Sequence, residues 1–137
     1  MRRNLKVLIV DDSNLQADIL ESILDDLGIN NITKAINGIH AVKHFEEALL
    51  KGTPYPLVFL DILMPEMDGQ EALKRIRNLE KEAGIVKDDK SVIIMITSLS
   101  SPADMITALI EGDCTDYVVK PVAESILKAM LVRYDLI

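Results

Sequence analysis

Five short apolar runs divide this chain at similar intervals. Most of them show no alternation of apolar and polar side chains, which is typical of strands buried on both faces. Each interval between them is long enough for one helix. The pattern therefore predicts a strand followed by a helix five times over, with strands at Leu5–Val10, Ile32–Ile36, Leu57–Leu60, Val92–Ile96 and Tyr117–Val119.

Helical periodicity and capping residues occupy the intervals. Ser, Asn and Asp side chains precede the apolar stripes and can accept hydrogen bonds from free N–H groups of a first helical turn. Ser13 and Gln16 have the spacing of a capping box. The apolar stripes, including Leu15, Ile19 and Ile126, are expected to pack into the core. The predicted helix starts are Ser13, Asn37, Asp68 and Ser101, and the last helix follows Pro121; the first two helices are predicted to end at Gly28 and Gly52.

This alternation predicts one α/β domain over residues 1–137. Strands joined through helices form a parallel sheet with right-handed crossovers and helices on both faces. Five such units favour a doubly wound order in which strands one and three flank the switch point. No linker interrupts the chain, and only residues 84–90 form a loop longer than usual.

Composition narrows the class of protein. There are 15 Lys and Arg against 22 Asp and Glu, so the net charge is −7, and no basic cluster suits direct nucleic-acid binding. The longest apolar run, Val92–Ile96, is far shorter than the roughly 18 residues of a membrane span. Cys114 is the single cysteine, which excludes an intrachain disulfide and a paired-cysteine zinc site, and we expect it to pack as a small apolar residue. A cytoplasmic protein is the simplest expectation.

Polar residues follow four of the five predicted strands. Asp11-Asp12, Asp61, Thr97-Ser98 and Lys120-Pro121 all fall at carboxyl ends, where open α/β sheets bind their ligands. Asp61 interrupts an apolar stretch, so its charge needs compensation. Three converging carboxylates would repel one another unless a cation neutralised them. An all-oxygen site suits Mg²⁺, and a backbone carbonyl near Leu63 could supply a further ligand.

Such a site suits phosphoryl chemistry. One carboxylate can attack phosphorus and form an acyl phosphate. The Lys120 ammonium and the Thr97 hydroxyl suit the phosphoryl oxygens. Taken alone, an Asp pair at a strand end is typical of a helix cap, and a lysine before proline is typical of a surface residue. The joint placement at four strand ends favours a functional site. His40 and His44 are four residues apart but have no third ligand nearby in sequence, so a solvent-exposed face is expected.

The ordered motifs resemble those of the receiver domain of two-component response regulators over essentially the whole chain. The first strand with its acid pair covers residues 7–13, and the stretch 61–69, DILMPEMDG, resembles the phosphoacceptor loop. Thr97-Ser98 and residues 117–121, YVVKP, resemble the last two signature segments. The resemblance implies a flavodoxin-like (βα)5 fold with strand order 2-1-3-4-5.

By this resemblance, Asp61 would accept a phosphoryl group from a sensor histidine kinase or a histidine phosphotransfer protein. Lys120 would contact the phosphorylated carboxylate, Thr97 would move toward the phosphoryl oxygens, and Tyr117 would follow inward. The Lys120–Pro121 bond would be cis, and the fourth helix, fifth strand and fifth helix would present the switched face to a downstream effector. Mg²⁺ would be held by Asp61, Asp12, the backbone carbonyl of Leu63 and, through water, Asp11.

Two positions depart from the family pattern, and other functions remain open. Ser98 stands where the family often has alanine, and Asp113-Cys114 stand where Gly-Ala is common. The leading hypothesis is a switch, monomeric or dimerising on phosphorylation, that is not an enzyme beyond self-catalysed phosphotransfer and slow autodephosphorylation. The first alternative is an aspartate-nucleophile phosphohydrolase, although the place of its usual second aspartate holds Leu63. The second is a receiver-like interaction module that needs no phosphorylation.

Overall fold

A computed structural model describes residues 5–62, 64, 66–98, 107 and 113–137. Five parallel strands form one sheet in the order β2-β1-β3-β4-β5. This confirms the predicted doubly wound order, and each strand lies within a residue of its predicted bounds. The strands are β1 Lys6–Val10, β2 Asn31–Ala35, β3 Leu57–Leu60, β4 Val92–Thr97 and β5 Asp116–Val119.

Four α-helices lie within the described residues, and the first three start at the predicted caps, whereas the C-terminal helix starts after Ala123 without a side-chain cap. Ser13, Asn37 and Asp68 each accept a hydrogen bond from the backbone N–H three residues on. In the first cap, the Ser13 N–H donates to Asp11 Oδ1. The predicted fourth helix, from Ser101, lies outside the described residues. The helices are α1 Asn14–Asp26, α2 Gly38–Leu50, α3 Gly69–Glu82 and a C-terminal helix Glu124–Arg133, and a short 3-10 turn covers Lys87–Asp89.

Apolar side chains are buried on both faces of the sheet, which explains why the strands lack alternation. Along β1, Leu8 and Val10 face a core shared with α2 and α3, whereas Val7 and Ile9 face a core shared with α1 and the C-terminal helix. Cys114 packs in the first core as expected, and burial raises the pKa of its thiol to about 11. No helix among the described residues is long and apolar enough to cross a membrane.

Part of the predicted helix stripes lies in solvent instead of the core. Leu15 and Ile19 on α1 are 67% and 47% exposed, and Ile126 on the C-terminal helix is 53% exposed. At about 100° per residue, Leu15 lies about 180° around α1 from the buried Leu24, and Ile19 lies about 100° from the buried Leu20, so both point away from the sheet that covers the buried side of the helix. The expectation that they join the core was wrong.

Candidate phosphoryl-acceptor site

Asp61 is fixed by the register of two central strands. Val10 of β1 pairs with Leu60 of β3, so Asp11 and Asp61 leave the sheet side by side. The Asp61 N–H donates to Val10 O at 3.0 Å, and the Asp11 N–H donates to Ala35 O at 3.1 Å. Both residues are buried, each 8% exposed. Parallel pairing thus continues past the strand ends and holds the two acid-bearing backbones in place.

Two glycines let helix starts approach the loop that follows Asp61. A Cβ on Gly69, the first residue of α3, would lie 2.1 Å from Asp61 O, and its N–H donates to Ile62 O at 2.9 Å. A Cβ on Gly38, the first residue of α2, would lie 2.6 Å from Met67 O. Any side chain there would displace backbone. The sequence analysis missed these positioning residues, although Gly38 and Gly69 each follow a capping residue directly.

The three predicted carboxylates come together. One oxygen from each of Asp11, Asp12 and Asp61 lies within 4.8 Å of the others, and within the described ranges this is the one group of three or more potential metal ligands. Asp11 and Asp61 are buried, whereas Asp12 is exposed and opens the cluster to solvent. His40 is exposed and His44 half-buried, and neither joins a group of ligands among the residues described.

Lys120 supplies the compensation that the buried acids require. Its Nζ lies 2.9 Å from Asp11 Oδ2 and 3.5 Å from Asp61 Oδ2. Burial by itself lowers the pKa of Lys120, but the hydrogen bond to Asp11 and the charges of Asp61 and Asp11 outweigh it, so the pKa is raised above its usual value. The ammonium is therefore charged at neutral pH. The predicted cis peptide bond at Lys120–Pro121 is present.

The donor set of the cluster fits Mg²⁺. It consists of oxygens alone, and Mg²⁺ prefers one or two carboxylates with several waters retained. An exposed member, Asp12, leaves room for those waters. The cluster carries three formal negative charges against one lysine, so a divalent cation would neutralise the remainder. Leu63, whose carbonyl was predicted as a ligand, lies outside the described residues.

The two predicted switch residues lie on neighbouring strands. Thr97 ends β4 and pairs with Val119 of β5, but its side chain is outside the described part of the structure. Tyr117 is buried in the core shared with α2 and α3, and its N–H donates to Asp116 Oδ1 at 2.8 Å. Tyr117 thus lies on the strand that is hydrogen-bonded directly to the strand carrying Thr97.

An ion pair between a buried acid and a part-buried arginine holds the segment before β5, and the sequence analysis did not identify it. Arg77 Nη1 lies 2.7 Å from Glu80 Oε1, and Glu80 is only 1% exposed. Arg77 also donates to Asp113 O and Ser91 O, both at 2.8 Å. Asp113 has a φ of +59°, and its carboxylate pairs with Lys90 at 2.6 Å. These contacts therefore hold both the backbone and the side chain of Asp113, which stands where the receiver motifs commonly have glycine.

Known proteins of one family match this chain over most of its length. The family described as response regulator receiver domain matches residues 7–132. The chain belongs to this family. Among curated relatives, the chemotaxis protein CheY of Listeria monocytogenes is 34% identical over 127 residues, covering 92% of this chain and 95% of that protein. CheY of Bacillus subtilis is 32% identical over 126 residues, covering 91% and 93%.

Solved structures of receivers share the fold. The CheX–CheY–BeF3–Mg²⁺ complex from Borrelia burgdorferi matches with a TM-score of 0.80 and 29% identity, covering 95% of this receiver and 89% of that chain. The complex of the Saccharomyces cerevisiae phosphotransfer protein Ypd1 with the receiver domain of Ssk1 matches with a TM-score of 0.79 and 32% identity, covering 98% and 90%.

Proposed function

We propose that this receiver is a phosphorylation-activated switch in a two-component phosphorelay, with Asp61 as the phosphoacceptor. The observation that carries the proposal is the arrangement around Asp61: a buried carboxylate beside Lys120 and two further acids at the carboxyl edge of the sheet. A structural ion pair alone would need one carboxylate for one lysine. The acids beyond that one carboxylate are available to hold a cation beside an incoming phosphoryl group.

The transfer step follows from these groups. A carboxylate oxygen of Asp61 attacks the phosphorus of a phosphohistidine, an O–P bond forms, and the P–N bond breaks with its electron pair returning to the imidazole, which takes up a proton. Lys120 stabilises charge on the phosphoryl oxygens, and Thr97 is proposed to donate a hydroxyl hydrogen bond to them. Mg²⁺, held by Asp12, Asp61, the Leu63 carbonyl and, through water, Asp11, would supply charge neutralisation to the transferring group.

Phosphorylation would then change the pairing of Lys120. In this structure, Lys120 Nζ lies 2.9 Å from Asp11 Oδ2 and 3.5 Å from Asp61 Oδ2, so the ammonium is closer to Asp11. A phosphoryl group on Asp61 adds negative charge and strong acceptor oxygens, which favour Lys120 on the Asp61 side. We propose that Thr97 and Tyr117 follow inward and that β5, with the helix predicted from Ser101 and the C-terminal helix, carries the changed surface to an effector.

The proposed partners are a histidine kinase or phosphotransfer protein as donor and a downstream effector protein as target. The similarity to CheY relatives and to a receiver bound to Ypd1 supports this class of partner. We further propose that the chemistry is limited to self-catalysed phosphotransfer and slow autodephosphorylation, and that the receiver is monomeric or dimerises on phosphorylation.

Incubation with acetyl phosphate and Mg²⁺, followed by intact-protein mass spectrometry, tests the proposal. We expect one added phosphoryl group on the wild type and none on Asp61→Asn. Asp88→Asn, which alters an exposed acid of the 3-10 turn, is the matched control and should be labelled like the wild type. Equal labelling of Asp61→Asn, or no labelling of a folded wild type, would overturn the assignment.

A further inference from the structure

A groove lies beside α3, apart from the phosphoryl-acceptor site. Its volume is about 790 Å³, and one wall is α3 from Glu71 to Lys81. The loop that the sequence marked as longer than usual, with Ile85, Val86 and Lys87, builds the other wall. None of the described residues that line it belongs to the acidic cluster, and Lys120 does not reach it.

The groove is a basic cluster that the sequence did not reveal, on a protein that is acidic overall. Six of its described lining residues are Lys or Arg and three are Asp or Glu, so the groove carries a net charge of +3. The rest of the chain, with 9 basic and 19 acidic side chains, carries −10. All three lining acids already form ion pairs, Glu80 with Arg77, Glu71 with Arg75, and Asp113 with Lys90.

Three lysines of the groove could pair with acidic groups of another molecule. Lys74, Lys81 and Lys87 are exposed, and none of the ion pairs found within the described ranges involves them. They lie on both walls, two on α3 and one on the loop. Their charges therefore face a common space instead of pointing to separate parts of the surface.

The loop also offers an apolar contact between these charges. Val86 is 67% exposed, and its neighbour Ile85 is half-buried. Lys87 has a φ of +36°, a conformation that lysine rarely adopts. The Asp89 N–H donates to Val86 O at 3.0 Å, and the Lys90 N–H donates to Lys87 O at 3.1 Å, so local hydrogen bonds hold the turn that presents Val86 beside Lys87.

We propose that this groove docks an acidic segment of a partner protein. The carboxylates of that segment pair with Lys74, Lys81 and Lys87, and one of its apolar side chains packs on Val86. A local positive surface on a protein that is negative elsewhere steers an acidic partner to this place and repels it from the others. Because the groove excludes Asp61, docking holds the partner whether or not the receiver is phosphorylated, which goes beyond the proposed switch.

Fluorescence anisotropy with a short labelled peptide of alternating acidic and leucine residues tests the charge contacts. The triple variant Lys74→Gln, Lys81→Gln, Lys87→Gln should bind about tenfold more weakly, because each exposed ion pair contributes roughly two- to threefold. A second triple variant, replacing the exposed Lys43, Lys51 and Lys128 with Gln, makes the same change in net charge away from the groove. It should bind like the wild type.

Two further measurements complete the test. Val86→Ser should weaken peptide binding, whereas Leu50→Ser, at an apolar side chain 82% exposed on α2, should leave it unchanged. Asp61→Asn should also bind the peptide normally, so failure of the phosphoacceptor assignment would leave this inference standing. The inference is overturned if the wild type does not bind the peptide, if both lysine triples lose binding equally, or if a single-stranded oligonucleotide occupies the groove in preference to the peptide.

Discussion

Replacing Gly69 with alanine should damage both the stability and the chemistry of the site. The new Cβ would lie 2.1 Å from Asp61 O, more than about 1 Å inside an ordinary carbon–oxygen contact. Because the opposing atom is backbone, the strain falls at the upper end of overpacking costs, about 3 kcal/mol. Loss of the Gly69 N–H bond to Ile62 O costs about 1 kcal/mol more, and the better helix propensity of alanine offsets about the same amount. We expect the free energy of unfolding to fall by roughly 3 kcal/mol.

The same displacement should slow phosphorylation, since a shift of about 1 Å at a reacting group can lower a rate by about 100-fold. Urea unfolding gives the stability, and the rate of labelling by acetyl phosphate, measured where the variant is folded, gives the chemistry. Gly52→Ala is the matched control: it has a φ of +73°, and its Cβ would meet no atom within 4 Å. It should lose about 1–2 kcal/mol from backbone strain and keep the wild-type labelling rate. A folded Gly69→Ala protein labelled at the wild-type rate would refute the reasoning.

Three other perturbations test the site and its support. Glu80→Ala leaves the part-buried Arg77 without this carboxylate and the buried Ser91 N–H without its acceptor, and should lower the free energy of unfolding by about 3 kcal/mol in urea titrations, with a smaller loss for Glu80→Gln. The wild type should be more stable than Lys120→Met by an amount that is constant below the ordinary lysine pKa. That amount should shrink as pH rises through the raised pKa of Lys120 in the folded state, which thermal unfolding from pH 8 to about 11.5 would show. Asp12→Asn should weaken Mg²⁺ binding by more than about tenfold in calorimetry while stabilising the metal-free protein, because it removes one of three converging negative charges; unchanged Mg²⁺ affinity would exclude Asp12 as a ligand.

The strands and the acidic site were predictable because both depend on patterns local in sequence. Buried parallel strands need continuous apolar runs, and the register between β1 and β3 converts two separate strand ends into neighbouring acids. Once Asp11 and Asp61 are placed at the carboxyl edge, the sheet order puts Lys120 at the same edge, two strands beyond β3, and its long side chain reaches both acids. The caps at Ser13 and Asp68 were equally local, since each bonds an N–H three residues away.

The supporting contacts were not predictable, because they depend on distances between elements that no periodic pattern records. Gly69 resembles any glycine at a helix start until α3 is seen packed against the backbone of Asp61. Arg77 and Glu80 have the spacing of an ordinary surface pair on a helix, and only the packing of the segments around Ser91 and Asp113 buries Glu80 and covers most of Arg77. Exposure of Leu15 has a different origin: the apolar stripe was drawn too wide, since Leu15 lies nine residues, or about 180° around the helix, before the buried Leu24.

The position of the phosphoryl group tests the central claim most directly. Acyl phosphates are reduced by borohydride, which converts the modified aspartate to homoserine and leaves other aspartates unchanged. After labelling with acetyl phosphate and Mg²⁺, reduction and peptide mass spectrometry, we predict homoserine at position 61 alone. Homoserine at position 11 or 12 with an unmodified Asp61, or no homoserine in a labelled protein, would contradict the account.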